Sequence, residues 1–379
     1  MLSPFLILGF YSYLGGYCIK YMLANLGDIF GASWGVGGVD GATYFSNLTA
    51  DTTQSIIYTL VFLLITIVIV SFGIEEGIER FSKVLMPILV VLIFAIGIFS
   101  LTLHYKDASG TVRSGLEGLK IYVIPDFKGL TMQKLFTVFV DALGQLFYSI
   151  SVAMGIMVAY GSYVKKESKL MGSINQIEIF DTLVAFLAGL MIIPAVYVFM
   201  GKEGMTAGPG LMFIALPKVF DQMGAIGNVI GVIFFAMVLF AAITSSISIM
   251  EAVVSSLMDG FKMKRKPAAL LVLAYGIVAG IIVCLGYNKL YFELSLPNGT
   301  VGQILDVMDY VSNNIFMPIV ALATCILIGW VAKPKTVIDE VTKNGAKFNR
   351  KFIYNATIKF IAPVLLMVIL LQAFGIVKF

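Results

Sequence analysis

Nine stretches of this sequence stay apolar for about 20 residues at a time, the length a helix needs to cross a bilayer core of about 30 Å. They are 2–27, 54–72, 77–103, 133–163, 174–201, 226–258, 267–287, 304–332 and 353–377. Hydrocarbon offers the backbone no water, so such stretches fold as helices that satisfy their own peptide groups. The expectation is an all-α, polytopic membrane protein of about nine membrane helices, one transmembrane domain over 1–379 with no dividing linker. Several stretches exceed a simple crossing and must tilt, bend or protrude. Composition agrees: 59% of residues are hydrophobic, 13% are charged and the mean hydropathy is +0.96. Soluble domains run nearer half apolar and a quarter charged.

The same composition excludes other classes. A net charge of +4 with no basic, aromatic-interleaved patch gives no footing for nucleic acid. His104 is the sole histidine, so a histidine-cluster metal site is excluded. Cys18, Cys284 and Cys325 all lie in apolar stretches and read as buried small hydrophobes, with no CxxC pair and no disulfide framework. A membrane enzyme would need a nucleophile–base pair or a metal cluster at membrane depth, and a channel a continuous pore; neither fits.

Loop charges alternate. One set of loops holds 15 basic residues, from Arg80 and Lys83 through Lys165, Lys166 and Lys169 to Lys333–Lys351; the other holds eight. The positive-inside bias makes the first set cytoplasmic, so residue 1 starts on the inner side of the plasma membrane and the C-terminus ends outside. The loop 104–134, with five basic residues, runs against that bias. Met1-Leu2-Ser3-Pro4 enters a membrane stretch with nothing basic before Lys20, unlike a signal peptide. The expectation is a chain that begins inside a structural element. Ala207-Gly208-Pro209-Gly210 leads into Leu211–Val219, a short re-entrant or interfacial helix.

Polar residues within spans are costly and mark function by default. The span 133–163 is too long for one straight crossing. Asp141, Gln145 and Ser149 are four apart and share a face, Ser151 breaks that face, and Gly144, Gly155 and Gly161 bracket the region. A helix broken around a binding cavity accounts for this; so does a glycine-packed helix whose serines bond back to the preceding turn. In 226–258, Thr244, Ser248 and Glu251 share a face with Ala241 one turn earlier. Their oxygens suit a hard cation such as Na⁺, and equally serve as glue between helices. Asp181 and Asp309 lie near the ends of spans, where a carboxylate can also be wetted, and Tyr11 fits packing as well as ligation. Lys20 and Lys359 can snorkel from helix ends.

Five motifs occur in the order of one family. Gly144-Gln145-Leu146-Phe147-Tyr148-Ser149-Ile150-Ser151 resembles the broken sixth helix of the neurotransmitter:sodium symporters, and Ile243-Thr244-Ser245-Ser246-Ile247 resembles their eighth. Gly77-Ile78-Glu79-Arg80-Phe81 is similar to the start of the fifth, the segment Gly208–Pro217 to the fourth outer loop, and Met308-Asp309-Tyr310 to the tenth. The chain stops after an eleventh helix, like the shorter bacterial members. The resemblance implies a LeuT-type inverted-repeat fold and Na⁺-coupled import of an amino acid. It places substrate contacts at Ile7, Tyr11, Tyr148, Ser149, Ser151, Met154, Ser248 and Ile249. It places one Na⁺ at Ser149 and Asp181, a second at the Ala241 carbonyl, Thr244 and Ser245, and the outer gate at Gln145, Tyr148 and Asp309.

Two departures stand out. Tyr148 occupies a lid position that is usually phenylalanine. The span 2–27 matches the third helix, so the family's first two helices are missing and both sodium sites would be incomplete in this chain. The resulting expectation is that upstream sequence encodes roughly 70–80 further residues, two helices with their loops. The alternative expectation is a truncated, transport-inactive fragment.

Overall fold

The computed structural model describes residues 2–106, 110–202 and 210–377. The chain starts with α1 (Leu2–Ile29), α2 (Gly41–Ala50), α3 (Thr52–Ser71), α4 (Arg80–Thr102) and α5 (Gly115–Val123). Next come α6 (Met132–Ser149), α7 (Ile156–Tyr163), α8 (Leu170–Met200), α9 (Leu216–Gln222), α10 (Ala225–Phe261) and α11 (Arg265–Gly286). It closes with α12 (Ile304–Asp309), α13 (Met317–Ile326), α14 (Pro334–Thr342), α15 (Lys351–Ala356) and α16 (Ala362–Ala373). Wider π-helical turns carry the chain into α4 (Ile74–Glu79) and α9 (Leu211–Ala215), and join α12 to α13 and α15 to α16. Two short antiparallel ribbons, β1 (His104–Lys106) with β2 (Val112–Ser114) and β3 (Leu294–Ser295) with β4 (Val301–Gly302), sit in loops and leave the architecture all-helical.

Among the described residues, 8 helices are long and apolar enough to cross a membrane. The ninth expected crossing, 133–163, is two helices, α6 and α7, with an unwound segment between them. Predicted span ends hold to within about four residues, a shift expected of sequence-read boundaries. Shifts of four residues occur at the end of the last span, Ala373 rather than 377, and at α8, which starts at Leu170 rather than 174 and so sets Asp181 three turns inside the helix instead of early in it.

Helix α1 is the axis of the bundle. In its most apolar window 72% of residues are buried, against 17% for the last span, which lies on the periphery. It packs most extensively on α10, then on α3 and α11. Close approach explains Gly16: a Cβ there would stand 2.7 Å from the backbone of Tyr58 and Thr59 in α3, the small-residue contact membrane helices use in place of a hydrophobic driving force. Several polar groups in this interior are paired, although the buried Tyr44 hydroxyl beside Tyr21 is not. The Tyr13 hydroxyl donates to Tyr17 at 2.7 Å, Tyr17 and Ser55 lie 2.9 Å apart, and Ser55 donates to the Leu48 carbonyl at 3.0 Å. Lys20 is buried and lies over the Tyr58 ring at 5.7 Å, so it does not snorkel as expected; Lys359 lies 6.0 Å over Trp330.

The expected short helix after the glycine-proline loop is present as the turn Leu211–Ala215 and α9; Ala207, Gly208 and Pro209 of that motif lie outside the described residues. Phe213 drops into an aromatic cluster with Tyr17, Tyr21, Phe45 and Phe235, and its carbonyl accepts from the Tyr21 hydroxyl at 2.8 Å. Burying such a ring contributes about 1.5–3 kcal/mol, so this loop is part of the core and covers one end of α1.

Candidate functional site

The break between α6 and α7 organises the site. Helix α6 ends at Ser149, and Ser151 (φ 53°), Ala153 (φ 65°) and Gly155 (φ 80°) follow in left-handed conformations. For Ser151 and Ala153 that region costs about 1–2 kcal/mol each. Glycine carries no such penalty, which explains Gly155 as the residue that opens α7. The unwound backbone is held by turns: Ser151 N–H donates to Tyr148 O at 3.1 Å and Val152 N–H to Phe147 O at 3.0 Å. The glycine-packed continuous helix, the other reading of this span, is not what forms.

A cavity of about 810 Å³ opens beside the break. Helix α1 gives it Ile7 and Tyr11; α6 and the unwound segment give Gln145, Tyr148, Ser149, Ser151 and Met154; α10 gives Thr244, Ser245, Ser248 and Ile249. All eight expected substrate contacts therefore lie on one wall system. A second cavity of about 690 Å³ carries Asp309, with Asp141 and Asp306. Gln145 and Tyr148 line both cavities, so they form the partition between them. Asn313 Nδ2 donates to Asp309 Oδ1 at 2.5 Å.

Two groups of oxygens flank the first cavity. Ser149 Oγ donates to Asp181 Oδ1 at 2.5 Å, joining the break to α8, although Asp181 itself is not on the cavity wall. On α10, Thr244 Oγ1 donates to Ala241 O at 2.9 Å, which leaves the hydroxyl lone pairs free for a cation. Ser245 and Tyr11 both line the cavity. Ala241, like Asp181, stands behind the wall.

Four features escaped the sequence. Glu79 lines the cavity and puts a carboxylate on its wall; Lys83 Nζ donates to it at 2.5 Å. Tyr160 and Ser248 hydroxyls lie 2.6 Å apart at the wall. Tyr163 donates to Glu251 at 2.7 Å. Glu251, fully buried, forms an ion pair with Arg265, a residue that loop counting treats only as a topogenic charge. The two tyrosines at i, i+3 in Tyr160-Gly161-Ser162-Tyr163 were the available signal; their partners on α10 are set by packing.

Backbone left irregular at membrane depth is tolerated only around a cavity, and secondary transporters build their binding sites in this way. This molecule is a multi-pass membrane transporter. Comparison with known proteins narrows the class. The sodium:neurotransmitter symporter family matches residues 48–379. The chain is 31% identical to the uncharacterized sodium-dependent transporter YhdH of Bacillus subtilis, over 99% of this chain and 78% of the relative. It is 30% identical to an uncharacterized sodium-dependent transporter of Haemophilus influenzae, over 98% and 77%. The crystal structure of MhsT in complex with L-phenylalanine aligns with a TM-score of 0.82 at 31% identity, covering 98% of this chain and 79% of MhsT. The chain belongs to the sodium:neurotransmitter symporter family, has the LeuT-type fold of MhsT, and is a sodium-dependent transporter rather than an enzyme.

Proposed function

We propose that this transporter couples sodium entry to the import of a neutral, hydrophobic or aromatic L-amino acid. One observation carries the reading: a single cavity at the helix break brings hydroxyls of Tyr11, Ser149 and Ser151 together with the apolar side chains of Ile7, Met154 and Ile249. The substrate carboxylate meets Tyr11 and the unwound backbone; the side chain meets Ile7, Tyr148, Met154 and Ile249. Met154 is unbranched and adaptable, and its sulfur favours an aromatic ring. Glu79 is already neutralised by Lys83, so no free charge waits for an acidic or basic side chain, whose burial alone costs several kcal/mol. That MhsT was solved with L-phenylalanine supports the same class.

Sodium, as the co-transported ion, takes two positions: Ser149 with Asp181, and Ala241 with Thr244 and Ser245. The Asp181 carboxylate balances charge that a mobile anion would otherwise supply. Gln145, Tyr148 and Asp309 close the partition toward the second cavity, and the basic-residue bias sets residue 1 on the cytoplasmic side. The test is competition binding to the purified protein. Leucine, phenylalanine, tyrosine and tryptophan should displace a bound neutral amino acid well, and glutamate and lysine poorly. Preference for a charged amino acid would overturn the pocket.

A further inference from the structure

We propose that the bundle end formed by the turns 164–169 and 332–350 is a docking ledge for anionic phospholipid headgroups. The inference rests on the protein being a membrane protein and not on the substrate reading.

Three observations support it. The first is that two separate turns make one surface. Asn344 Nδ2 donates to Lys166 O at 2.6 Å and to Ser168 O at 2.9 Å, clasping the turn before α8 to the segment after α14. The clasp joins Lys165, Lys166 and Lys169 to Lys343 and Lys347, all exposed. The second is charge. Arg350 makes two hydrogen bonds to the Glu178 carboxylate, at 2.8 and 3.0 Å, so that acid is already neutralised. The remaining acids of the two turns are Glu167, Asp339 and Glu340, and Glu340 lies 3.8 Å from Lys343. The lysines outnumber them, and the surplus is positive.

The third observation is depth. Trp330 is 57% exposed at the end of the span Ile304–Val331, the place of an interfacial aromatic. Lys333 and Lys335 come immediately after it. They border a surface cleft of about 600 Å³ with Thr336, Asp339, Glu340 and Lys343, large enough for a headgroup. Lys333 is held at φ 68°, a conformation that suits glycine and that an L side chain adopts at a cost. Helix α14 turns its buried Pro334 and Val341 inward and leaves the lysines outward. Phosphates of anionic lipid lie at this level, and juxtamembrane lysines bind them electrostatically.

The experiment measures the thermal unfolding midpoint of the full chain in detergent, with added phosphatidylglycerol, phosphatidylcholine, phosphatidylethanolamine or inorganic phosphate. Phosphatidylglycerol should raise the midpoint well above the others, and high salt should abolish the difference. Lys165→Gln/Lys166→Gln/Lys343→Gln should lose at least half of that rise, whereas Lys128→Gln/Lys218→Gln should keep it. Lys333→Gly relieves backbone strain, so it should be no less stable than the parent in phosphatidylcholine and still lose part of the response. An equal rise with phosphatidylcholine or phosphatidylethanolamine would overturn the proposal. So would the same rise from inorganic phosphate, which would mean a free-anion site, or a rise in the parent protein that survives high salt.

Discussion

Arg265→Ala probes the polar interior most sharply. Glu251 on α10 has 0% exposure, and its carboxylate takes three donors: the Tyr163 hydroxyl at 2.7 Å, Arg265 Nη1 at 3.1 Å, and Arg265 Nη2. The same guanidinium donates through Nε to Val70 O at 3.1 Å, in the last turn of α3. One side chain thus ties α3, α10 and α11 together, and Tyr163 adds the end of α7. Removing the arginine leaves a charge in a place without water, and breaking a buried pair in this way costs about 3–5 kcal/mol. Tyr163→Phe removes one hydrogen bond to a charged acceptor and should cost less, about 1.5–3 kcal/mol. Glu251→Gln in the Arg265→Ala background removes the orphaned charge, so the double variant should be more stable than the two single losses added together, by a coupling of about 0.5–3 kcal/mol. Denaturant unfolding of the parent, both single variants and the double variant in one detergent gives the four free energies. An Arg265→Ala protein within about 0.5 kcal/mol of the parent, the range of an ordinary surface change, would refute the reasoning, and so would strict additivity.

Three other substitutions test separate parts of the account. Asp181→Asn should weaken sodium binding or make transport respond to chloride; unchanged sodium dependence with indifference to chloride would remove Asp181 from the sodium site. Gly155→Val should cost about 1–3 kcal/mol of backbone strain at φ 80°, while Ala153→Gly, relieving φ 65°, should leave stability equal or higher; thermal unfolding of both checks the unwound geometry. Asp51 caps α3 through the Gln54 backbone N–H, and that bond with the Gln54 side chain holds its carboxyl below the usual range. A group depressed on folding stabilises above its unfolded value and loses that contribution as pH falls through the folded one, so Asp51→Ala should cost about 0.5–2 kcal/mol at neutral pH and less at a pH below both, where only a neutral cap is lost; equal losses at the two pH values would contradict it.

The spans were legible because hydropathy runs of 20 residues have one physical solution in lipid. The break was half legible: Ser151 leaves the face shared by Asp141, Gln145 and Ser149 and glycines bracket them, a pattern that also suited a glycine-packed helix, and the structure unwinds the chain at Ser151–Gly155. The expected substrate contacts come to one cavity from three distant segments, while Asp181 and Ala241 stand off its wall and Asp309 lies in the second cavity; spacing alone left each of them open to a structural role. What could not be read was pairing across helices. Arg265 looked like one of several loop cations until the α10–α11 hairpin set it against Glu251, and Lys20 looked like a helix-end cation until Tyr58 covered it. The helix α5 was readable in principle: Ser114 and Glu117 form a capping box, a signature that hydropathy does not carry in so short and polar a segment. The acidic N-caps Asp40 and Asp51 mark α2 and α3 in the same way.

If the cavity at the helix break couples substrate to sodium, amino-acid binding must itself depend on sodium. Equilibrium binding of labelled L-phenylalanine or L-leucine to the purified protein is measured with sodium and with choline at equal ionic strength. Saturable binding that requires sodium, and that falls when Thr244→Ala or Ser149→Ala removes a proposed ligand oxygen, is the predicted result. Binding of the same strength in choline would contradict the claim that this cavity couples a neutral amino acid to sodium.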